Sequence, residues 1–172
     1  MPERATTADW HIKASVSRGR GLASSRSAPD VDHINRSFGL KLRNGSLNLV
    51  SRQPIWFDPA AAIYAGESYL FWKARLGDVP VIINRWPSCP AHIFEIFAEV
   101  HLRSSLGLSD GDMVEISGPH GMIDWARSAS RKHRISWCLL WYLREAKFYH
   151  SDLYIRFIQL PMIRRRLWRS SQ

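Results

Sequence analysis

The stretch YLFWKARLGDVPVII, residues 69–83, decides the fold. Its first half, Tyr69 to Leu76, is apolar and aromatic, and its second half, Val79 to Ile83, is rich in β-branched residues. Both compositions are typical of strands. Gly77-Asp78 lies between them and is a two-residue turn signal, because glycine adopts the backbone angles that tight hairpins need. We therefore predict an antiparallel hairpin over this stretch.

Further strand and helix signals surround the hairpin. In residues 10–16 apolar and polar side chains alternate, which is the pattern of a half-buried strand. Short helices are predicted over residues 30–38, with Asp30 as N-cap and Gly39 after the last turn, and over residues 101–106. Additional strands are predicted at residues 46–50, 93–97 and 113–116. Short strands with only one or two short helices favour a mainly β fold, a small β-barrel.

Charge divides the chain into a near-neutral body and a basic tail. Residues 1–120 hold 13 basic and 12 acidic residues, whereas residues 121–172 hold 11 basic and 3 acidic ones. The tail also carries four of the eight tryptophans. A barrel that reads DNA should itself be basic. The net charge of +9 therefore describes the tail, and no specific nucleic-acid partner is expected.

We divide the chain into an N-terminal arm at residues 1–9, the barrel at residues 10–118 and a C-terminal extension at residues 119–172. In the extension, residues 135–150 place apolar side chains at the spacing of an amphipathic helix. This helix either packs back on the barrel or lies on an anionic membrane surface, where the basic-aromatic run 164–169 would bind weakly. A chain ending near Gly118 is expected to stay folded.

Composition excludes several classes of protein. Two cysteines cannot form a disulfide framework or a four-thiolate zinc site. No apolar run approaches the roughly 18 residues of a membrane-spanning helix. The first segment, MPERATTADWHIK, lacks the apolar core of a secretory signal. We therefore expect a cytoplasmic protein. We also expect it to be a monomer.

Two segments carry groups suited to phosphate and to a cation. The loop at residues 19–25 combines two glycines with small residues, and such loops bring backbone N–H groups close to phosphate oxygens. A plain surface loop has the same composition. Ser46 and Asn48 stand two residues apart on a predicted strand, so their oxygens share one face. Neutral oxygens suit a Mg²⁺ ion that keeps some of its waters and takes further ligands from phosphate oxygens. The alternative is a hairpin turn whose polar residues face outward.

Two further segments carry acid–base and anion-binding groups. Glu95 interrupts the apolar strand Ile93 to Phe97, where it either binds a cation or a ligand or faces water. Val100 to Arg103 begins a helical turn. Its backbone N–H groups and the guanidinium of Arg103 either contact a phosphate or a base, or face solvent. The histidines show no metal-ligand spacing.

Taken in order, these motifs resemble one family. A strand and a Gly-x-Gly loop are followed by FGL at 38–40, NGSLN at 44–48, EIFAEVHLR at 95–103 and LGLSDGDMVEI at 106–116. The order resembles the archaeal-type CTP-dependent riboflavin kinases, a cradle-loop barrel family. That family has a Gly-x-Gly-Glu-Gly loop, a Pro-Gly-Thr-Leu-Asn motif and a Glu-Ile-Ile-Ala-Pro-Val-x-Leu-Arg segment. The resemblance covers residues 10–117.

The resemblance implies roles for individual residues. Ser46, in place of the family's Thr, and Asn48 would hold Mg²⁺. Glu95 would bind the flavin, and Ser88 is the nearest equivalent of a family Thr on the flavin side. As the candidate catalytic residue, Glu95 is expected either to orient the acceptor or to take its proton. The nucleotide would be contacted by the glycine loop and by the helical turn after Glu95: Gly19, Arg20, Gly21, Leu22, Ala23, Ser24, Val100, His101, Leu102 and Arg103.

Four positions depart from the family pattern. Leu22 and Ala23 replace the Glu and Gly of the glycine loop, Asn44 replaces the first Pro, and Glu99 replaces the second Pro. Some of these positions face the nucleotide in the family. A barrel that binds nucleotide or flavin without turnover is therefore one alternative to a kinase.

The activity implied by the resemblance is transfer of the γ-phosphate of CTP to the primary hydroxyl of riboflavin, which gives FMN. Such transfer depends on positioning and charge neutralisation, which loop N–H groups and Mg²⁺ supply. Residue chemistry does not distinguish CTP from ATP. A DNA-binding regulator built on a related barrel is the second alternative; the basic tail favours it and the near-neutral body opposes it.

We predict that phosphoryl transfer by this chain requires a divalent cation, whereas chelation does not unfold it. The expected cation site uses neutral oxygens at the surface, and a structural zinc would need four Cys or His ligands. Thermal melting with and without EDTA tests this expectation. A large drop in melting temperature on chelation would contradict it.

Overall fold

The computed structural model describes residues 9–19, 27–66, 69–86 and 89–129. Among these residues there are seven strands: β1 Trp10–Ser17, β2 Leu47–Ser51, β3 Tyr64–Ala65, β4 Leu70–Leu76, β5 Val79–Arg85, β6 Ile93–Phe97 and β7 Met113–Gly118. The helices are α1 Ala28–Phe38, α2 Leu102–Leu106 and α3 Trp125–Ala129, with a 3₁₀ turn at Pro59–Ala61. The helix predicted at residues 135–150 lies outside the described residues.

The sheet closes into a barrel. Its strand order is β3-β4-β5-β6-β2-β1-β7, and a further pairing joins β4 to β7. In that closing pair Arg75 lies opposite Ser117 and Leu76 opposite Ile116. Six strands therefore form an antiparallel barrel, and the two-residue β3 extends it beside β4. The prediction of a small, mainly β barrel is confirmed.

The hairpin that decides the fold forms as predicted. β4 and β5 pair from Leu70 opposite Arg85 to Leu76 opposite Val79. Gly77 takes a positive φ of 54° in the turn, which a side chain with a Cβ disfavours. The strand predicted at residues 10–16 is likewise present as β1.

The first helix begins earlier than predicted. Its N-cap is Ser27, and Asp30 lies inside the first turn, so the assignment of Asp30 as N-cap is wrong. The physical reason is Pro29, whose fixed φ and missing N–H suit the first helical positions and move the start upstream. The prediction for the other end is confirmed, because Gly39 follows the helix with a left-handed φ of 64°.

Two apolar clusters lie on opposite faces of the sheet. The inner core fills the barrel with alternate strand residues, among them Val16, Leu49, Phe94, Ile96 and Ile83, all at most 2% exposed. The outer core joins Val31 and Ile34 of α1 to residues on the outside of β4, β5 and β6, namely Phe71, Ile82 and Phe97. Because strand side chains alternate between faces, each position in a strand belongs to one face or the other.

Packing of the barrel continues past Gly118. Met122 and Ile123 are 2% and 5% exposed and belong to the inner core. Ile123 also forms a β-bridge with Phe57, and the Ser128 hydroxyl accepts the N–H of Trp56 at 2.9 Å. The boundary expected at residue 118 therefore precedes residues that fill the barrel.

We predict that a chain ending at Ala129 is more stable than one ending at Gly118. The shorter chain loses two buried side chains, and each such loss typically costs about 2–5 kcal/mol. Thermal and urea denaturation of both truncated chains measures the difference. Equal free energies of unfolding would mean that residues 119–129 do not support the barrel.

Candidate functional site

Four polar residues form a row across four neighbouring strands. Ser17 of β1 lies opposite Asn48 of β2, and Asn48 lies opposite Glu95 of β6. Glu95 in turn lies opposite Asn84 of β5. Neighbouring strands are about 4.8 Å apart, so adjacent members of this polar row are within side-chain reach of each other.

The polar row lies on the outside of the barrel. The residues next to it in sequence, such as Val16, Leu49 and Ile83, fill the inner core. Because side chains alternate along a strand, the row must face the other way. On the β5 side it adjoins the outer core, since Asn84 pairs with Phe71 across β4 and β5.

The two asparagines of the row are buried with incomplete hydrogen bonding. Asn48 is 3% exposed and Asn84 is fully buried. The Oδ1 atoms of both have no hydrogen-bond partner in the structure, which describes residues 9–19, 27–66, 69–86 and 89–129. The Nδ2 atom of Asn84 donates to Oε2 of the half-buried Glu95 at 3.4 Å. Two buried amide oxygens without a partner therefore lie on either side of one carboxyl group.

An arginine anchors the β1 end of the row. Nη2 of Arg103 donates to the backbone oxygen of Ser17 at 3.1 Å and to Oδ1 of Asp110 at 2.6 Å. Gly19, the first residue of the predicted phosphate loop, follows Ser17 by two positions. The tertiary structure thus brings Gly19 and Arg103 to the same end of the site as Asn48.

The helical turn predicted to contact a nucleotide uses most of its side chains internally. His101 is the N-cap of α2, and its Nδ1 accepts the N–H of Ser104 at 3.3 Å. Leu102 is 5% exposed in the inner core. Arg103 pairs with Asp110. Val100 is 41% exposed and takes part in none of these contacts, and His101 is exposed as well.

The other predicted site residues fall at or beyond the edges of the described chain. Ser46 is half-buried and directly precedes β2. Arg20, Gly21, Leu22, Ala23 and Ser24 lie outside the described residues, as does Ser88. For these residues the assignment to nucleotide or flavin stays a prediction from sequence.

Glu99, which stands where the family has a Pro, has a local structural role. Its Oε1 accepts the backbone N–H of Lys41 at 2.7 Å. The neighbouring Ala98 carbonyl accepts the N–H of Arg43 at 2.9 Å. Together these bonds attach the segment that leads into β2 to the end of β6.

Asn84 is the site residue that sequence reasoning missed. A signal was present, because an amide directly follows the apolar run Val81 to Ile83, and asparagine is disfavoured in strands. The sequence around Asn84 did not indicate which residue would lie opposite it on the neighbouring strand. The strand register with β6 makes that connection.

A second buried polar cluster lies around Arg85. The guanidinium donates to the backbone oxygens of Ile55 at 2.6 Å and Ile93 at 3.2 Å, and also to that of Ala91. Its plane lies near the rings of Phe57 and Phe94, with centroids 4.8 and 5.0 Å away. Burial lowers the pKa of Arg85 to about 10, so it remains charged at neutral pH. These contacts tie the segment before β6 to the end of the barrel.

Two titratable neighbours of Arg85 are held in their neutral forms. Burial raises the pKa of the Cys89 thiol to about 12, although the charge of Arg85 opposes this. Burial, with a smaller contribution from Arg85, lowers the pKa of His92 to about 3. A thiolate nucleophile needs a lowered pKa. Cys89 is therefore unsuited to nucleophilic catalysis at neutral pH.

Comparisons with known proteins name no family for this chain. No protein-family model matches it, and no curated protein matches it at a significant level. Within the described ranges no three His, Cys, Asp or Glu residues group as metal ligands, and no helix is long and apolar enough to cross a membrane.

We predict that His92 makes the barrel less stable in acid. Its pKa is about 3 in the folded chain and near 6.5 when exposed, so between these values only the unfolded chain gains the proton. The free energy of unfolding should fall by up to about 1.4 kcal/mol for each pH unit below 6.5. Urea denaturation of wild type and His92→Gln between pH 5 and 7 measures this slope.

The matched control is His120→Gln, which replaces an exposed histidine. We expect this variant to follow the wild-type slope, whereas His92→Gln flattens it. Identical slopes for all three proteins would show that His92 becomes protonated without unfolding.

Proposed function

We propose that this chain is a Mg²⁺-assisted phosphotransferase that moves the terminal phosphate of a nucleoside triphosphate to a hydroxyl group. Following the motif resemblance, the donor is CTP and the acceptor is the primary hydroxyl of riboflavin, with FMN as product. The observation that carries the proposal is the unpartnered Oδ1 of Asn48, nearly fully buried and opposite Glu95.

The unpartnered oxygen of Asn48 carries an energetic cost. A buried polar atom without a partner destabilises a protein by about 1–3 kcal/mol. An apolar residue of similar shape would remove the cost, so an asparagine at this position points to a role other than stability. A ligand that supplies a cation or a donor would satisfy the oxygen when it binds.

The residues present fit a magnesium ion. Asn48 offers a neutral oxygen, Glu95 lies beside it on the next strand, and Ser46 precedes it by two residues. Mg²⁺ binds through few protein oxygens and completes its shell with waters and phosphate oxygens. When bound, it would neutralise charge on the transferring phosphate.

Glu95 is suited to act on the acceptor hydroxyl. In the proposed reaction the hydroxyl oxygen forms a bond to the γ-phosphorus, the bond to the bridging oxygen breaks, and the nucleoside diphosphate leaves. The Glu95 carboxylate takes the hydroxyl proton. Its position on β6, paired on both sides with strands, keeps the carboxyl group in place.

The nucleotide would lie at the β1 end of the polar row. Gly19 begins the glycine loop there, and Arg103 fixes the backbone of Ser17 beside it. Arg103 is already paired with Asp110. We therefore infer that Arg103 holds the backbone at Ser17, and that the nucleotide is contacted by backbone N–H groups of residues 19–24 and by the exposed Val100.

The direct test incubates the purified full chain with riboflavin, Mg²⁺ and either CTP or ATP, and separates FMN from riboflavin by chromatography. FMN formation supports the kinase, and the nucleotide that yields it identifies the donor. Riboflavin binding without FMN formation would instead support the non-catalytic barrel. Absence of both would refute the proposal.

We predict that Asn48→Leu lowers FMN formation at least roughly 100-fold, since removal of a cation ligand costs several kcal/mol of transition-state stabilisation. Leucine has a similar shape and no unpartnered oxygen, so the melting temperature should stay equal or rise. Initial rates and thermal melts measure the two effects.

Asn44→Ala is the matched control, because it removes an exposed amide four residues earlier. It should leave rate and melting temperature unchanged. A wild-type rate in Asn48→Leu would place the cation elsewhere.

A further inference from the structure

Asn84 has hydrogen-bonding capacity that the barrel itself does not use. It is fully buried in the central strand β5, opposite Glu95 and on the far side of Glu95 from Asn48. Its Nδ2 donates to Glu95 Oε2 at 3.4 Å, which sets the orientation of the amide, because the reverse orientation would face two acceptors to each other. Its Oδ1 has no partner in the described part of the chain.

This open oxygen is poorly placed to share a cation with Asn48. The two asparagines lie two strands apart, a distance of about 10 Å between backbones. The Asn84 amide presents its nitrogen, not its oxygen, to the intervening Glu95. The missing partner is therefore a hydrogen-bond donor on a ligand, since an amide oxygen is an acceptor.

We propose that Asn84 binds the acceptor substrate through a second hydroxyl, next to the hydroxyl that reacts at Glu95. This inference rests on the proposed function and adds a requirement to it. The acceptor must carry a polyol chain. One of its hydroxyls loses its proton to Glu95, and a neighbouring hydroxyl donates a hydrogen bond to Asn84. The ribityl chain of riboflavin satisfies this requirement.

The burial of Asn84 makes the requirement selective. A site that hydrogen-bonds a substrate hydroxyl rejects an analogue that lacks it, because the buried group of the site is then left unpaired. A flavin without the hydroxylated chain, such as lumiflavin, should therefore bind more weakly than riboflavin and gain nothing from Asn84.

The test measures equilibrium binding of riboflavin and of lumiflavin by flavin fluorescence, in the absence of nucleotide. Wild type is compared with Asn84→Leu and Asn84→Ala. The alanine variant provides the test if a leucine does not fit the space of Asn84. We expect both substitutions to weaken riboflavin binding roughly tenfold and to leave lumiflavin binding unchanged. The melting temperature of Asn84→Leu should stay equal or rise, which a structural role would not produce.

Asn35→Leu is the matched control. Both amide atoms of Asn35 are used, its Oδ1 accepting from Leu42 N at 2.8 Å and its Nδ2 donating to Leu42 O at 3.2 Å. This variant should therefore melt at a lower temperature and bind both flavins as wild type does.

Three outcomes would overturn the inference. Wild-type riboflavin affinity in both Asn84 variants would show that Asn84 does not touch the substrate. An equal loss of affinity for riboflavin and for lumiflavin would place the hydrogen-bond partner of Asn84 on the flavin ring. With either of these two results, FMN formation by the wild type would still support the proposed function. If the wild type binds neither flavin, both the proposed function and the inference about Asn84 are refuted.

Discussion

The pairing of β4 with β7 is the constraint on which the other features of this protein depend. By joining Leu76 to Ile116 it closes six strands into a barrel and divides every strand into an inner and an outer face. The inner face is filled by apolar side chains. A polar residue in a central strand, such as Asn48 or Glu95, can then lie only on the outside. Closure thus aligns the polar row on one surface.

The two buried polar clusters of the barrel differ in how fully their groups are satisfied. Arg85 has three carbonyl partners and two aromatic rings around it, and its network connects segments of the fold. Asn48 and Asn84 are more fully buried than Arg85, yet each keeps an unpartnered oxygen. A satisfied network stabilises a protein, whereas open acceptors cost free energy until a ligand arrives. This contrast is why we assign a structural role to the first cluster and propose a binding role for the second.

The rigidity of the site follows from its position in paired strands. Glu95 is held between β2 and β5, so its backbone has hydrogen-bonded neighbours on both sides. Phosphoryl transfer depends on position and charge more than on covalent chemistry. A carboxyl group held between two paired strands therefore meets the positional requirement of the proposed phosphoryl transfer.

Local patterns in the sequence determined the six strands of the barrel, the hairpin turn at Gly77, the end of α1 at Gly39 and the candidacy of Asn48 and Glu95. These properties depend on alternation and on turn residues a few positions apart. The contacts of Asn84 with Glu95, and of Arg103 with Ser17, join residues 11 and 86 positions apart. Only the tertiary structure decided them, because a period of two fixes the face of a side chain but not the strand that lies beside it.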